Sequence, residues 1–149
     1  MRILRIIEGT SVDGPGLRTA IYVAGCRHAC PGCHNPQSWD FSAGTEMTLD
    51  EIMRVVEYNE MPVTITGGDP LYQPRAVTEL IRRIKALGLN VWLYTGFTWE
   101  EITADPTLLA VVRLVDTVVE GRFVQALRDT SLHFRGSSNQ RIIHTAEAL

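Results

Sequence analysis

All three cysteines of the chain lie in one stretch, Gly25-Cys26-Arg27-His28-Ala29-Cys30-Pro31-Gly32-Cys33-His34-Asn35. Their spacing is C-x3-C-x2-C, and an apolar run at 21–24 leads into them. Thiolates are soft ligands that select iron–sulfur clusters, zinc or Cu(I). A closed zinc site takes four ligands, and an ordinary cubane cluster takes four cysteines. Three cysteines therefore leave one iron of a [4Fe–4S] cluster without a protein thiolate, and that iron could bind a substrate.

The composition indicates one folded domain over residues 1–149. Hydrophobic residues make up 45% of the chain, which is enough to fill a core, and 21% of the residues are charged. The net charge of −3 gives no electrostatic reason to expect nucleic-acid binding. No apolar run approaches the roughly 18–20 residues of a membrane span. Three clustered cysteines make a poor disulfide framework, so a reducing, cytoplasmic location fits better.

Strands and helices alternate along the chain. The pattern predicts strands at 3–7, 19–25, 62–66, 90–94, 116–119 and 140–143. Capping boxes begin two helices, Thr48 with Glu51 and Thr98 with Glu101, and prolines stand in the first turns of two more. Such alternation predicts an α/β fold with mostly parallel strands. A closed eight-fold barrel takes about 250 residues, so we expect about five to six strands in an open, partial (βα) barrel.

Glycine-rich or polar turns follow the predicted parallel strands. The cysteine loop is one of them, and the others are Gly67-Gly68-Asp69-Pro70, Thr95-Gly96 and Glu120-Gly121. Ligands bind at the carboxyl ends of the strands in such sheets, so we expect these turns to meet at one edge. The glycines would let a ligand approach the backbone, and Asp69 could accept hydrogen bonds from an ammonium group. The alternative is a sharp strand-to-helix turn without a ligand.

Several of these motifs have a second interpretation. The cysteines could form a structural zinc site with His28 or His34 as the fourth ligand, although zinc modules usually draw ligand pairs from two separate segments. The Asp13–Arg18 segment has the composition of a plain hairpin loop. Glu120 could hydrogen-bond a ribose or could be a solvated loop carboxylate. These alternatives stay open on the residues alone.

The cysteine motif together with Gly-Gly-Asp-Pro resembles the radical S-adenosylmethionine (SAM) superfamily. Asp13-Gly14-Pro15-Gly16-x-Arg18 is similar to the activating enzymes of glycyl-radical proteins. Further segments resemble the family that activates anaerobic ribonucleoside-triphosphate reductases, and they lie at 30–35, 39, 66–71, 94–96, 120–123 and 135–140. Two positions depart from the pattern: Gly32 stands where most of the superfamily has an aromatic residue, and Glu120 stands where the subfamily commonly has Asp.

The resemblance implies a radical SAM domain in which Cys26, Cys30 and Cys33 bind one [4Fe–4S] cluster. SAM would bind the open iron, with cofactor contacts from Gly32, Cys33, His34, Gly67, Gly68, Asp69 and Glu120. An electron from a flavodoxin-type donor would cleave SAM to a 5′-deoxyadenosyl radical, which makes a glycyl radical on the reductase. No catalytic side chain beyond the cluster ligands is implied.

The resemblance also implies that the protein partner is the reductase. The Asp13–Arg18 turn and the Arg135–Arg141 segment are assigned to contact with that partner or with SAM. A homodimer and a heterotetramer with the reductase both stay open. The alternative functions are activation of a different glycyl-radical protein and a zinc-binding interaction domain.

Overall fold

Within residues 1–33 and 35–149, which the computed structural model describes, seven strands form one open sheet. They are β1 (Arg2–Thr10), β2 (Arg18–Val23), β3 (Thr45–Glu46), β4 (Val63–Gly67), β5 (Val91–Tyr94), β6 (Thr117–Glu120) and β7 (Arg141–His144). The order across the sheet is β3-β1-β2-β4-β5-β6-β7. Neighbours in the central block β2-β4-β5-β6 run parallel, whereas the β3-β1, β1-β2 and β6-β7 pairs are antiparallel.

The predicted α/β class and the open sheet are confirmed, but the expected five to six mostly parallel strands need correction. Only the central four strands form a parallel block. The strand that the sequence analysis missed is β3, which is two residues long and pairs Arg2 with Glu46 and Ile3 with Thr45. Its strand conformation depends on that pairing, and two residues are too few to show an alternating pattern.

Five helices lie in the described part of the chain, four of them between the parallel strands and one after the last strand. They are α1 (Leu49–Asn59), α2 (Pro74–Ala86), α3 (Trp99–Ala104), α4 (Pro106–Val112) and α5 (Thr145–Ala148), with 3₁₀ turns at Pro36–Trp39, Pro70–Tyr72 and Gln125–Leu127. Both predicted capping boxes are confirmed, because Thr48 and Thr98 each exchange hydrogen bonds with the glutamate three residues later. No helix in the described part of the chain is long and apolar enough to cross a membrane.

The two faces of the sheet differ in chemistry because side chains alternate along each strand. One face packs against the helices and belongs to the apolar core, which includes Val63, Ile65, Val91 and Leu93. The opposite face carries the alternate residues Thr64, Thr66, Trp92 and Tyr94. We call these the helix-covered face and the open face.

The open face is partly covered by the 11–17 turn and by the segment at 122–140. Arg18 is 2% exposed and holds the turn against the sheet, since its guanidinium donates to Thr64 Oγ1 (2.9 Å), to the Val63 carbonyl (3.0 Å) and to the Pro15 carbonyl (3.2 Å). Phe134 packs edge-on against Trp92, with ring centroids 5.4 Å apart. The two covers leave a cavity between them.

Candidate functional site

The turns after the parallel strands meet at one edge of the sheet, as the sequence predicts. The amide of Gly68 donates to the Val23 carbonyl (2.9 Å), and the amide of Asp69 donates to the Gly25 carbonyl (2.8 Å). Farther along, the amide of Thr95 donates to the Val119 carbonyl (2.9 Å). Backbone hydrogen bonds therefore connect the cysteine loop to the Gly-Gly-Asp-Pro turn, and the Thr-Gly turn to the end of β6. The Asp69 side chain joins the two groups, because it accepts a hydrogen bond from the Gly96 amide.

The cysteine loop is held by its own downstream segment. The amide of Gly25 donates to the Ser38 carbonyl (2.7 Å), and the amide of Cys26 donates to the Trp39 carbonyl (3.2 Å). All three cysteines in the described part of the chain are free and half-buried. Burial raises the pKa of the Cys26 thiol to about 11, while a hydrogen bond from the His28 backbone lowers that pKa and the nearby Asp69, Cys30 and Cys33 raise it.

The donor chemistry of this loop fits an iron–sulfur cluster. Three soft thiols stand in one loop, and the amide of Asn35 donates a hydrogen bond to Cys33 Sγ at 3.4 Å. Hydrogen bonds to sulfur are among the interactions that set cluster potentials. A cluster would supply the positive charge that a buried thiolate at Cys26 needs. Among the described residues, no group of three or more His, Cys, Asp or Glu side chains is already arranged to hold a metal ion.

Asp69 lies at the centre of the converging turns and is fully buried. Its Oδ1 accepts hydrogen bonds from the Leu71 amide (3.0 Å) and from the Thr95 hydroxyl (2.9 Å). Its Oδ2 accepts from the Gly96 amide (2.8 Å) and lies 2.7 Å from His28 Nε2. These contacts give Asp69 a structural role that the sequence analysis did not foresee.

His28 is buried within the same cluster of turns. Its side chain is 3% exposed, and its ring packs edge-on against Phe97, with centroids 4.6 Å apart, and beside Tyr72 at 5.2 Å. Because Nε2 is engaged by Asp69, the structure does not favour His28 as the fourth ligand of a zinc site. His34, the other candidate ligand and a predicted SAM contact, lies outside the described residues.

Glu120 is buried rather than solvated. It is 1% exposed, and Arg141 Nε donates to its Oε1 at 2.7 Å while Arg141 Nη2 also reaches Oε2 at 3.1 Å. The backbone amide of Trp99 donates to Oε2 at the start of α3. The solvated-carboxylate interpretation is therefore wrong. The carboxylate joins the end of β6 to α3 and to β7.

A cavity of about 430 Å³ opens on the open face beside the cysteine loop. Cys33 and Gly67 line it from the carboxyl edge, and Asp13, Gly136 and Gln140 line it from the covering segments. This volume lies in the range of small-molecule sites. The predicted contact segments at 13–18 and 135–141 thus both contribute to the cavity, although Arg18 and Arg141 themselves are engaged in the hydrogen bonds described above.

Two tyrosines of the sheet also line this cavity, and the sequence analysis did not single them out as binding residues. The Tyr22 hydroxyl donates to Asp13 Oδ2 at 2.6 Å. The Tyr94 hydroxyl is buried and has no hydrogen-bond partner among the described residues. Burial raises the pKa of Tyr94, so the phenol stays protonated and can donate. Strand alternation was the available signal, because it places Tyr94 on the same face as Thr64 and Thr66.

Gly32 precedes the third cysteine and adopts a left-handed backbone with φ of 75°. A Cβ built there would lie 2.8 Å from Cδ of Gln125. The side chain of Gln125 therefore occupies the space beside this position.

Comparison with known proteins agrees with this geometry. The family described as "4Fe-4S single cluster domain" matches residues 12–143. A protein of Escherichia coli K12 is 37% identical over 143 residues, which cover 89% of this chain and 92% of the relative. A protein of Haemophilus influenzae is 35% identical and covers 97% of both chains, and one of Enterobacteria phage T4 is 32% identical over 93% of this chain and 90% of its own.

The fold and the cysteine loop thus define a domain of the single-cluster iron–sulfur class. The three relatives are all named anaerobic ribonucleoside-triphosphate reductase-activating protein. At this identity and coverage, the chain belongs to the 4Fe-4S single cluster domain family and, within it, to the family of these reductase-activating proteins.

Proposed function

We propose that this chain activates an anaerobic ribonucleoside-triphosphate reductase by a radical SAM reaction. The names of its relatives support the reductase as the protein substrate. The family match supports a 4Fe–4S cluster, for which Cys26, Cys30 and Cys33 are the proposed ligands. The open sheet serves in this proposal as a partial barrel of the radical SAM type, acting as one domain over residues 1–149.

The single observation that carries the proposal is that Cys33 and Gly67 line the same cavity. A small molecule bound there lies between the cysteine loop and the end of β4. The Tyr94 hydroxyl, buried and without a partner in the described residues, adds a hydrogen-bond donor to the wall. Such an orphaned donor costs about 1–3 kcal/mol when left unpaired, so a polar ligand would relieve that penalty.

When bound, the cluster and SAM supply the electron transfer and the 5′-deoxyadenosyl radical that abstracts hydrogen from a backbone glycine. The chain's own residues bind and orient the cluster and SAM. The backbone at Gly32, Gly67 and Gly68 and the loop residues Cys33 and His34 are the proposed SAM contacts. Asp69 supports these contacts indirectly, because its buried carboxylate fixes the turn after β4 and is hydrogen-bonded to His28 of the cysteine loop. Glu120, which is also buried, joins the end of β6 to α3 and to β7.

The protein substrate is expected to approach over the open face. The segments at 13–18 and 135–141 border the cavity there, and both line its wall. The open face lacks the helices that cover the opposite face, so a partner can complete the wall of the site. A flavodoxin-type electron donor and a cytoplasmic location complete the proposal.

The test is anaerobic reconstitution of the chain with iron and sulfide, followed by dithionite and SAM, with and without the reductase. We expect a brown protein that releases methionine, and an electron paramagnetic resonance (EPR) doublet on the reductase. Cys30→Ser is the matched variant, and we expect it to abolish methionine release while leaving the circular dichroism spectrum unchanged.

Each alternative predicts a different result in the same experiment. A colourless protein with about one zinc per chain would show a zinc-binding domain instead. SAM cleavage without a radical on the reductase would favour a different glycyl-radical partner. Methionine release that survives Cys30→Ser would overturn the ligand assignment.

A further inference from the structure

We propose that His28 and Asp69 form a positioning pair that fixes the cysteine loop on the carboxyl edge of the sheet. The inference rests on the proposed function in one respect, that the loop binds a cluster. In this proposal Asp69 holds His28 and the neighbouring turns in place, and it does not contact the amino group of SAM directly.

The geometry of the pair is that of a buried hydrogen bond between two loops. His28 Nε2 lies 2.7 Å from Asp69 Oδ2, with the side chains 3% and 0% exposed. His28 stands between Cys26 and Cys30, whereas Asp69 follows β4. The contact therefore ties the interior of the cysteine loop to the next strand of the sheet.

The packing around the imidazole fixes its position further. Phe97 and Tyr72 contact the ring, and the glycine at position 96 leaves room for it. A Cβ at Gly96 would lie 2.5 Å from His28 Cδ2, which is closer than real Cβ contacts. Ala29, the next residue, has a left-handed φ of 51°, which turns the chain between the anchored His28 and Cys30.

Asp69 is poorly placed to bind a ligand directly. Its carboxylate is fully buried and already accepts hydrogen bonds from Leu71, Thr95 and Gly96 besides the contact with His28. An ammonium group would have to displace these donors, and a buried donor that loses its hydrogen bond costs free energy. The carboxylate is instead well placed to hold the loops around the cluster.

Loss of the pair should therefore loosen the cysteine loop and make the cluster labile. Residues that orient metal ligands typically change metal affinity by about 10–100-fold when mutated. We expect His28→Leu, in reconstituted protein, to lose iron to an external chelator roughly 10-fold faster or more. We also expect a shift in the EPR g-values of the reduced cluster, which a general loss of stability would not produce.

Two further variants separate the hydrogen bond from the bulk of the side chain. His28→Gln keeps an N–H that can reach Asp69, so we expect it to restore iron retention and the wild-type g-values in large part. His133→Leu removes an exposed histidine and serves as the control, with wild-type behaviour expected.

Asp69→Asn tests the other partner. We expect faster iron loss, with SAM affinity per intact cluster close to wild type by calorimetry. The double variant His28→Leu/Asp69→Asn should lose iron no faster than the worse single variant, because the contact between His28 and Asp69 is already lost in each single variant.

Two results would overturn the proposal that His28 and Asp69 position the cysteine loop. One is His28→Leu retaining iron and g-values like the wild type. The other is Asp69→Asn keeping normal iron retention while SAM affinity falls, which would show direct contact with SAM. In both cases the wild type holds its cluster, so the proposed function survives. A wild type that takes up no cluster would overturn both.

Discussion

The two faces of the sheet carry residues from the same strands, but different interactions stabilise them. On β4, Ile65 faces the helices and is fully buried, while its neighbours Thr64 and Thr66 face the open side. On β5, Leu93 is likewise buried in the core, while Tyr94 borders the cavity. The helix-covered face is held by apolar packing, whereas the open face is held by hydrogen bonds and rings.

The difference indicates where stability and binding reside. Burial of apolar side chains contributes about 1.5–3 kcal/mol for each large side chain, so the helix-covered face should dominate the free energy of unfolding. The open face keeps polar atoms available, one of them buried without a partner in the described residues. Substitutions on the two faces should therefore separate stability from ligand affinity.

The largest effect on stability is expected on the helix-covered face. Ile65→Ala removes a fully buried side chain from the core and should lower the free energy of unfolding by about 2–5 kcal/mol. Urea unfolding of the purified chain measures this. Thr66→Ala on the same strand is the control and should lower the same free energy by less than about 1 kcal/mol. Equal losses in the two variants would contradict the contrast between the faces.

An intermediate effect is expected at Arg18, which holds the 11–17 turn on the open face. Arg18→Met keeps an aliphatic stem but loses the hydrogen bonds to Thr64 Oγ1, the Val63 carbonyl and Asn90 Oδ1. We expect a loss of about 1–3 kcal/mol in the free energy of unfolding. Hydrogen exchange at 11–17 should also become faster. Unchanged exchange in that turn would show that other contacts hold it.

Tyr94→Phe should weaken binding without weakening the fold. The variant removes a buried hydroxyl that has no partner among the described residues, so the free energy of unfolding of the ligand-free chain should rise by about 1–3 kcal/mol. SAM affinity of the reconstituted protein should fall about 10-fold, the value of one neutral hydrogen bond. Calorimetry measures this affinity, with Tyr58→Phe at an exposed tyrosine away from the cavity as the control. Undiminished affinity would remove Tyr94 from the site.

The smallest effect concerns a partly exposed ion pair, Arg122 with Glu101, which joins the segment after β6 to α3. The hydrogen bond from Arg122 lowers the pKa of Glu101 to about 2. A depressed pKa stabilises the fold above the ordinary value near 4.5, and this contribution is lost as the pH falls toward 2.

Glu101→Gln tests this pH dependence and keeps the capping box, which accepts either residue. It should lower the free energy of unfolding at pH 7 by about 0.5–1 kcal/mol. The difference in the free energy of unfolding between wild type and variant should become smaller as the pH falls from 5 to about 2. Urea unfolding across that range measures it, and a difference that does not depend on pH would contradict the assignment.

Local signals in the sequence predicted the elements well. The capping boxes at Thr48 and Thr98 formed as expected, because each depends on residues three positions apart. The turn after β2 met the turns after β4 and β5, because parallel strands end at the same edge. Strand β3 escaped prediction because its conformation comes from pairing with β1.

The candidate site was less predictable because its side chains find their partners far along the chain. The sequence indicated that Asp69 stands in a turn, but its contacts with His28, Thr95 and Gly96 cross between loops. Glu120 was left open between two roles and proved to be paired with Arg141. Burial and long-range pairing decide such roles, and neither can be read from spacing.

The imidazole of His28 fills the space that a side chain at position 96 would need, which constrains how this sequence can vary. Any side chain at position 96 would meet the ring at 2.5 Å from its Cβ. In a library that varies both positions, folded variants with a residue larger than glycine at 96 should carry a residue smaller than histidine at 28. In natural relatives, a residue larger than glycine at position 96 should therefore occur only together with a residue smaller than histidine at position 28.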